Sequence, residues 1–338
     1  MYTYTVHKYE YTLNLFTNFH QWLLLYKKGA ILIFTLKGPF AAMVTPYTQD
    51  GEINENELRQ IVNFLIEKGI KGLFPTGSVG EFFHHSVEYI CKVIEIVSQE
   101  AQGRVPVIPG ACSSCVENTL KIAKFAASKG CPAVVISPPY YVPLKEEEIY
   151  QFYLQVLEKI PINVVLYDIP FRTNRLPPGV IEKLILHEKV IGIKDSSGSM
   201  QNLMYYLILS RKYKKDFSVM TGNDDVLLPA LYMGCSGSMS GMATIVPEIV
   251  SEIYSLFENN DHQKAKELQF KVAEIVRLIE KFPFPVGYRI AMSIRGFEMG
   301  PHKQVVVPLL NTSEYSRIYE KMRNALEDLL NEETGLNV

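Results

Sequence analysis

Short apolar runs alternate with helix-like segments along the chain, from Pro39 to about Phe257. The runs are rich in β-branched residues and end in turns, as buried parallel strands do. The segments between them carry apolar residues at helical spacing. Eight strand–helix units can be counted, and eight such units close a parallel sheet into an α/β fold, the (β/α)8 TIM barrel. The predicted strands are Pro39–Val44, Gly72–Phe74, Val105–Ile108, Ala133–Ile136, Asn163–Leu166, Val190–Ile193, Phe217–Met220 and Gly237–Met239.

The segments before and after these units predict a three-part organisation. Residues 1–37 form an N-terminal extension, residues 38–260 the barrel, and residues 261–338 a C-terminal helical region that packs outside the barrel. The extension carries two apolar runs, Trp22–Tyr26 and Ala30–Leu36. Both are shorter than the roughly 20 residues that a membrane helix needs. Helices of the C-terminal region are predicted over Gln263–Lys281, Val286–Ile294 and Ser313–Leu330.

The composition excludes several classes of function. A formal net charge of −2 over 338 residues gives no reason to expect a polyanion partner such as a nucleic acid. The five cysteines show no secreted disulfide framework, so we expect a reducing, cytoplasmic location and no membrane partner. Cys112 and Cys115 form a C-x-x-C pair, but no second pair stands at zinc spacing. No metal is therefore predicted.

Lys194 stands at the end of the apolar run Val190–Ile193, directly before a turn-like segment that ends at Gly198. Barrel enzymes keep their chemistry at the carboxyl ends of the strands. A lysine buried there has a lowered pKa, so its neutral amine can attack a ketone and form a Schiff base. The alternative is a surface lysine just past the end of a strand, and neighbouring residues must decide between the two.

Two other strand ends carry residues that suit this chemistry. Tyr167 ends the predicted strand next to that of Lys194, so its phenol could reach the amine and shuttle protons. The glycine-rich turn Gly77–Glu81 presents successive backbone N–H groups, which can hold a carboxylate. Each feature also has a plain structural interpretation, as an aromatic residue at the barrel rim and as an ordinary turn. Glu81 is interpreted as a structural residue that holds the turn.

Five motifs occur in order from about Gly38 to the end of the chain. Together they resemble the dihydrodipicolinate synthase / N-acetylneuraminate lyase family of class I Schiff-base pyruvate aldolases. The resemblance covers nearly all of the chain after residue 37. The motifs are Gly77-Ser-Val-Gly-Glu81, Pro139-Tyr-Tyr141, Tyr167-Asp-Ile-Pro170, Gly192-Ile-Lys-Asp-Ser-Ser-Gly198 and Gly237-Ser-Met-Ser-Gly241.

The resemblance implies a role for individual residues. Lys194 would form the imine with pyruvate, and Tyr167 would relay protons to and from it. Ser78 would connect Tyr167 with a second tyrosine, Tyr141, which enters the site from a neighbouring subunit of a homodimer or homotetramer. The backbone of Ser78 and Val79 would hold the pyruvate carboxylate. The carbonyl of Met239 would line the site, and no cofactor would be needed.

The second substrate, an aldehyde, is predicted less directly. Arg172 matches the arginine with which the synthases bind the carboxylate of aspartate semialdehyde, and this favours dihydrodipicolinate synthase-like condensation in lysine biosynthesis. Val79 stands where the synthases commonly have a second threonine, and Asp168 where they commonly have asparagine. These departures leave a 2-keto-3-deoxy-gluconate-type aldolase as the alternative. A non-enzymatic binding module is disfavoured, because it predicts a degraded lysine or tyrosine.

Overall fold

The computed structural model describes residues 36–214, 216–305 and 310–334, the last three of these by their backbone alone. Most of the predicted N-terminal extension, residues 1–35, therefore lies outside the described residues. Of its two final residues, Leu36 is buried, with 1% of its surface exposed. One of its methyl groups lies beside Gly192, 3.2 Å from where a Cβ on that glycine would stand.

The described part of the chain contains a sheet of seven strands, in which every neighbouring pair is parallel. The spatial order is β2-β1-β7-β6-β5-β4-β3. The strands are almost wholly buried on both faces, which is why they are apolar without alternation. The strands are β1 Gly38–Ala42, β2 Gly72–Phe74, β3 Ala133–Ile136, β4 Asn163–Asp168, β5 Val190–Asp195, β6 Ser218–Thr221 and β7 Gly237–Ser240.

The predicted strand Val105–Ile108 is not a regular strand, but this segment closes the sheet. Leu73 in β2 donates a backbone hydrogen bond to Pro106 (2.9 Å) and accepts one from the same segment (2.8 Å). On the other side, Val135 in β3 donates to Pro109 (2.9 Å). The two prolines have no N–H to donate, so a continuous ladder cannot form here. The result is the predicted TIM barrel, with single bridges at its eighth position.

Helices follow the strands and cover the outside of the barrel. In the first helix, Asn54 precedes the first turn and accepts a hydrogen bond from the backbone N–H of Glu57, which fixes where the helix begins. Its apolar residues Leu58, Ile61 and Leu65 recur at helical spacing and are buried against the barrel. None of the described helices is long and apolar enough to cross a membrane. They are α1 Glu55–Glu67, α2 Val87–Ala101, α3 Val116–Ser128, α4 Glu146–Lys159, α5 Pro178–Leu184, α6 Met200–Tyr213, α7 Leu227–Met233, α8 Met242–Ile245, α9 Pro247–Glu258, α10 His262–Ile279, α11 Val286–Ile294 and α12 Ser313–Thr334.

The sequence predicts that helix α11 only packs on the outside of the barrel, but the helix also reaches residues at the strand ends. Its Arg289 is fully buried and donates to the carbonyl of Thr45, which follows β1. The ring of Tyr288 lies directly on Gly241 at the end of β7, since a Cβ on that glycine would stand 2.1 Å from the ring. The C-terminal region therefore reaches the end of the barrel where the strands finish.

Candidate active site

Lys194 and Tyr167 lie side by side in the barrel. Their strands β5 and β4 are paired so that the two residues are direct neighbours in register. The Lys194 Nζ lies 4.4 Å from the centre of the Tyr167 ring and 4.5 Å from the centre of the Phe74 ring. Only 3% of Lys194 is exposed. Lys194 is therefore not a surface residue, which was the alternative.

The environment of Lys194 favours its neutral form. Burial lowers the pKa of its amine from the ordinary 10.5 to about 7. The thiol of Cys112 and the carboxyl of Asp224 act in the opposite direction and limit this fall. Burial also raises the pKa of Asp224 to about 6, while hydrogen bonding to the hydroxyl of Ser240 and to the backbone N–H of Met242 counteracts this rise. A substantial fraction of the amine is then a nucleophile near neutral pH.

Gly222, directly after β6, leaves the space through which the lysine side chain passes. A Cβ at this position would stand 2.5 Å from the Lys194 Cε and 2.1 Å from the Ser196 Oγ. Such distances are far shorter than a van der Waals contact, so the path of the lysine depends on the absence of a side chain here.

Tyr167 is nearly as buried as the lysine, with 3% of its surface exposed. Burial raises the pKa of its phenol to about 12, while hydrogen bonding to the hydroxyls of Ser196 and Ser78 counteracts this rise. The phenol therefore keeps its proton at neutral pH, and a protonated phenol can donate to a reacting oxygen and recover the proton later. The structure thus brings three of the predicted residues together: Lys194, Tyr167 and Ser78.

The glycine-rich turn Gly77–Glu81 lies beside this group. Ser78 and Val79 are each 8% exposed. Gly80 packs on the end of β1, since a Cβ there would stand 2.9 Å from the Met43 carbonyl oxygen. Glu81 adopts a left-handed backbone conformation, with φ 61°, and its side chain is fully buried. The turn is therefore compact and fixed, as a backbone cradle for an anion has to be.

The other predicted residues occupy different positions. Met239 is fully buried in β7. Arg172 is exposed on the loop after β4, and its guanidinium lies 4.4 Å above the ring of Phe284, just before α11. Tyr141 is 99% exposed and has a φ of 79°, which is uncommon for a residue other than glycine. Tyr141 therefore does not join Lys194 within this chain.

Several residues near Lys194 were missed by reasoning from the sequence. Phe74 looks like an ordinary core position, and Cys112 stands out only as part of a C-x-x-C pair, which does not indicate that it lies beside Lys194. Asp224 follows β6 in a run of polar turn residues, so its position at a strand end was an available signal. Tyr288, which interacts electrostatically with Tyr167 and Asp224, had no such signal, because it lies in a helix predicted to pack outside the barrel.

Comparison with known proteins agrees with this geometry. The model of the dihydrodipicolinate synthetase family matches residues 35–329. The chain belongs to the dihydrodipicolinate synthetase family. A 4-hydroxy-tetrahydrodipicolinate synthase of Methanothrix thermoacetophila is 32% identical over 279 residues, which cover 82% of this chain and 93% of that protein.

Two solved structures show the likeness in three dimensions. A 2-keto 3-deoxygluconate aldolase from Picrophilus torridus has a TM-score of 0.74 at 28% identity, covering 79% of this chain and 96% of that one. A dihydrodipicolinate synthase from Acinetobacter baumannii, solved in complex with pyruvate, has a TM-score of 0.78 at 26% identity, covering 87% and 99%. As a member of the dihydrodipicolinate synthetase family, the chain is a class I, Schiff-base type lyase.

Proposed function

We propose that Lys194 forms a Schiff base with pyruvate, and that the enzyme joins pyruvate to aspartate semialdehyde in a dihydrodipicolinate synthase-like condensation. The observation that carries the first step is the buried amine itself. It has a pKa of about 7 and lies against the ring of Tyr167. The relative from Methanothrix thermoacetophila and the pyruvate complex of the Acinetobacter baumannii synthase support the choice of reaction and of first substrate.

Lys194 and Tyr167 carry out the proposed condensation in a series of steps. The neutral Lys194 amine adds to the keto carbon of pyruvate, and loss of water leaves an imine. Tyr167 donates the proton that the departing oxygen requires and receives one later. The imine acidifies the adjacent methyl group, which passes a proton to Tyr167, and the imine becomes an enamine. The enamine carbon bonds to the aldehyde carbon while the aldehyde oxygen takes a proton back from Tyr167, and water finally adds to the re-formed imine, releases the product and restores the amine.

In this proposal the turn Gly77–Glu81 binds pyruvate, and the loop after β4 binds the aldehyde. We propose that the backbone N–H groups of Ser78 and Val79 hold the pyruvate carboxylate, and that the carbonyl of Met239 lines the site beside the imine. Arg172 then remains for the carboxylate of the aldehyde partner, which its planar guanidinium can bind through two hydrogen bonds. The stack on Phe284 supports the guanidinium at the edge of the site.

A 2-keto-3-deoxy-gluconate-type aldolase is the second candidate. It needs the same lysine and tyrosine, and it cleaves a sugar acid into pyruvate and an aldehyde. Val79 favours it, because valine supplies no hydroxyl beside Ser78. The likeness to the Picrophilus torridus aldolase also supports it.

The first test concerns the Schiff base. Borohydride added with pyruvate should leave a stable mass on Lys194, found by peptide mass spectrometry, because reduction of the imine fixes the carbon skeleton to the nitrogen. Lys194→Ala should trap nothing, whereas Lys189→Ala, which changes a lysine bound to backbone carbonyls at the other end of β5, should trap normally. Unchanged trapping in Lys194→Ala would show that another amine reacts.

The second test separates the two candidate reactions. Arg172→Ala should raise the KM for aspartate semialdehyde about 10- to 100-fold, because a hydrogen bond to a charged group contributes about 1.5–3 kcal/mol. The KM for pyruvate should change little. Arg175→Ala is the matched control, since Arg175 is exposed on the same loop and bonds Asn202. If wild-type enzyme turns over glyceraldehyde and not aspartate semialdehyde, and Arg172→Ala leaves that activity intact, the aldolase is the correct reaction.

A further inference from the structure

Arg289 is buried completely, although it lies in α11, 208 residues along the chain from Glu81. A buried guanidinium is stable only when acceptors surround it. Part of it bonds the segment after α11, with the carbonyls of Met299 and Pro301 as acceptors. Another donor, Nη1, points to the barrel, where it meets the carbonyl of Thr45 and the carboxylate of Glu81.

Glu81 ends the turn Gly77–Glu81, and its carboxylate is held from two sides. The Arg289 Nη1 lies 3.3 Å from its Oε2, and the hydroxyl of Tyr47 donates to the same oxygen at 3.0 Å. The left-handed backbone of Glu81 is a conformation that a residue with a side chain keeps only when its surroundings impose it. The ion pair supplies that constraint.

Thr45 provides a second connection between Arg289 and the turn. Its carbonyl accepts from Arg289, and its hydroxyl donates to the carbonyl of Gly80 at 3.0 Å. The turn is therefore connected to Arg289 at two consecutive residues, Gly80 through Thr45 and Glu81 directly. Ser78 and Val79 lie immediately before these two residues, so the direction of their N–H groups depends on the same contacts.

We propose that Arg289 is a positioning residue for pyruvate, which fixes the turn so that the N–H groups of Ser78 and Val79 face the substrate carboxylate. This inference rests on the proposed function of the turn. It assigns to the C-terminal helical region a part in substrate binding, although α11 contributes no reacting group through this residue. A residue that only stabilised the fold would change the amount of active enzyme and leave the affinity for pyruvate as it is.

The test uses full-length protein and follows the pyruvate concentration that gives half-maximal borohydride trapping of Lys194. Arg289→Met should raise this concentration at least tenfold, while the KM for the aldehyde stays within about twofold. Arg289→Lys should lie between Arg289→Met and wild type, because an ammonium keeps the charge and cannot reach all the acceptors of a guanidinium. The control is Arg295→Met, which removes the 2.6 Å ion pair with Glu248 directly after the same helix without touching the turn.

A double variant keeps the test decisive if the single substitutions at Arg289 prevent folding. Removing one partner of a buried ion pair leaves an unpaired charge, whereas removing both charges is better tolerated. Glu81→Gln combined with Arg289→Met should therefore fold, as judged by near-ultraviolet circular dichroism, and should still show weakened pyruvate binding.

The outcomes distinguish this inference from the proposed function. If wild-type enzyme traps pyruvate and the folded variants trap it with an unchanged half-saturating concentration, Arg289 has no positioning role. The positioning role is also overturned if none of the three variants folds, because Arg289 is then required for the fold itself. If wild-type enzyme traps no pyruvate at all, the proposed function itself is wrong and the inference falls with it.

Discussion

The neutral form of Lys194 is favoured by burial rather than by a partner that removes its proton. An exposed lysine is protonated almost completely at neutral pH, whereas a pKa of about 7 leaves roughly a thousandfold more neutral amine. The two acidic groups that face the amine, Cys112 and Asp224, both favour its protonated form. The pKa of Lys194 is therefore set by a balance between desolvation and the charge of Asp224.

This balance predicts the pH dependence of the enzyme. The kcat/KM for pyruvate reports the ionisation of the free enzyme, so it should rise with pH through about 7 as Lys194 loses its proton. Asp224→Asn removes a negative charge that stabilises the ammonium form, so the rise should move to lower pH. The measurement is the pH profile of kcat/KM for both proteins.

The neighbouring residue Asp225 provides a matched control. It forms an ion pair with Arg277, and it is not among the groups that shift the pKa of Lys194, although it raises the pKa of Asp224. Asp225→Asn should therefore move the rise much less than Asp224→Asn does. A profile of Asp224→Asn that coincides with wild type, or that moves to higher pH, would show that the carboxylate of Asp224 does not control the amine.

At the scale of elements, the local sequence pattern predicts where strands and helices form. It does not predict which distant parts of the chain come into contact. The strands, the helices and the strand-end positions of Lys194 and Tyr167 follow from periodicity and turn residues, which are local properties. The segment Val105–Ile108 departs from a regular strand because Pro106 and Pro109 interrupt its hydrogen bonding, and those prolines were visible in the sequence. The role of α11 was not visible, because a buried arginine in a helix looks the same as a solvated one.

The same distinction explains how much of the site could be predicted. Residues with unusual chemistry at strand ends, such as Lys194, carry a signal in their type and place. Phe74 and Cys112 approach the lysine only because barrel closure makes β2 and the segment before α3 share one interior with β5. Such approaches depend on the sum of many packing interactions, and no short stretch of sequence contains them.

At the scale of the whole molecule, the predicted boundary between residues 37 and 38 assigns Leu36 to the extension, and of the two extension residues that the structure describes, Leu36 is buried. The boundaries of the three regions stay predictions. Another feature at this scale is the nearly complete exposure of Tyr141 in a backbone conformation that is unfavourable for an aromatic residue. A residue held in this way on a surface suits insertion into a neighbouring subunit.

We predict that mixed subunits restore activity. A Tyr141→Phe subunit keeps its own Lys194, and a Lys194→Ala subunit can supply the missing hydroxyl. Hybrid dimers of the two should therefore recover up to about half of the wild-type sites, measured as trapped pyruvate and as turnover. Insertion of Tyr141 from the partner subunit is the physical reason, because the site is then assembled from both chains.

A second mixture provides the control for this experiment. Tyr167 and Lys194 lie side by side in one chain, so Tyr167→Phe mixed with Lys194→Ala should recover nothing. Recovery in neither mixture, with hybrids verified by mass, would show that Tyr141 acts within its own chain or has no role in the reaction.

Gly222 has a practical consequence for work on this enzyme. Because the lysine side chain occupies the space that any Cβ at this position would need, a single methyl group there should displace the amine while every reacting group is retained. A variant that is inactive for this reason still carries the lysine, both tyrosines and the turn. It would therefore serve as an inactive control enzyme that keeps all of these groups, which a substitution of the lysine itself cannot do.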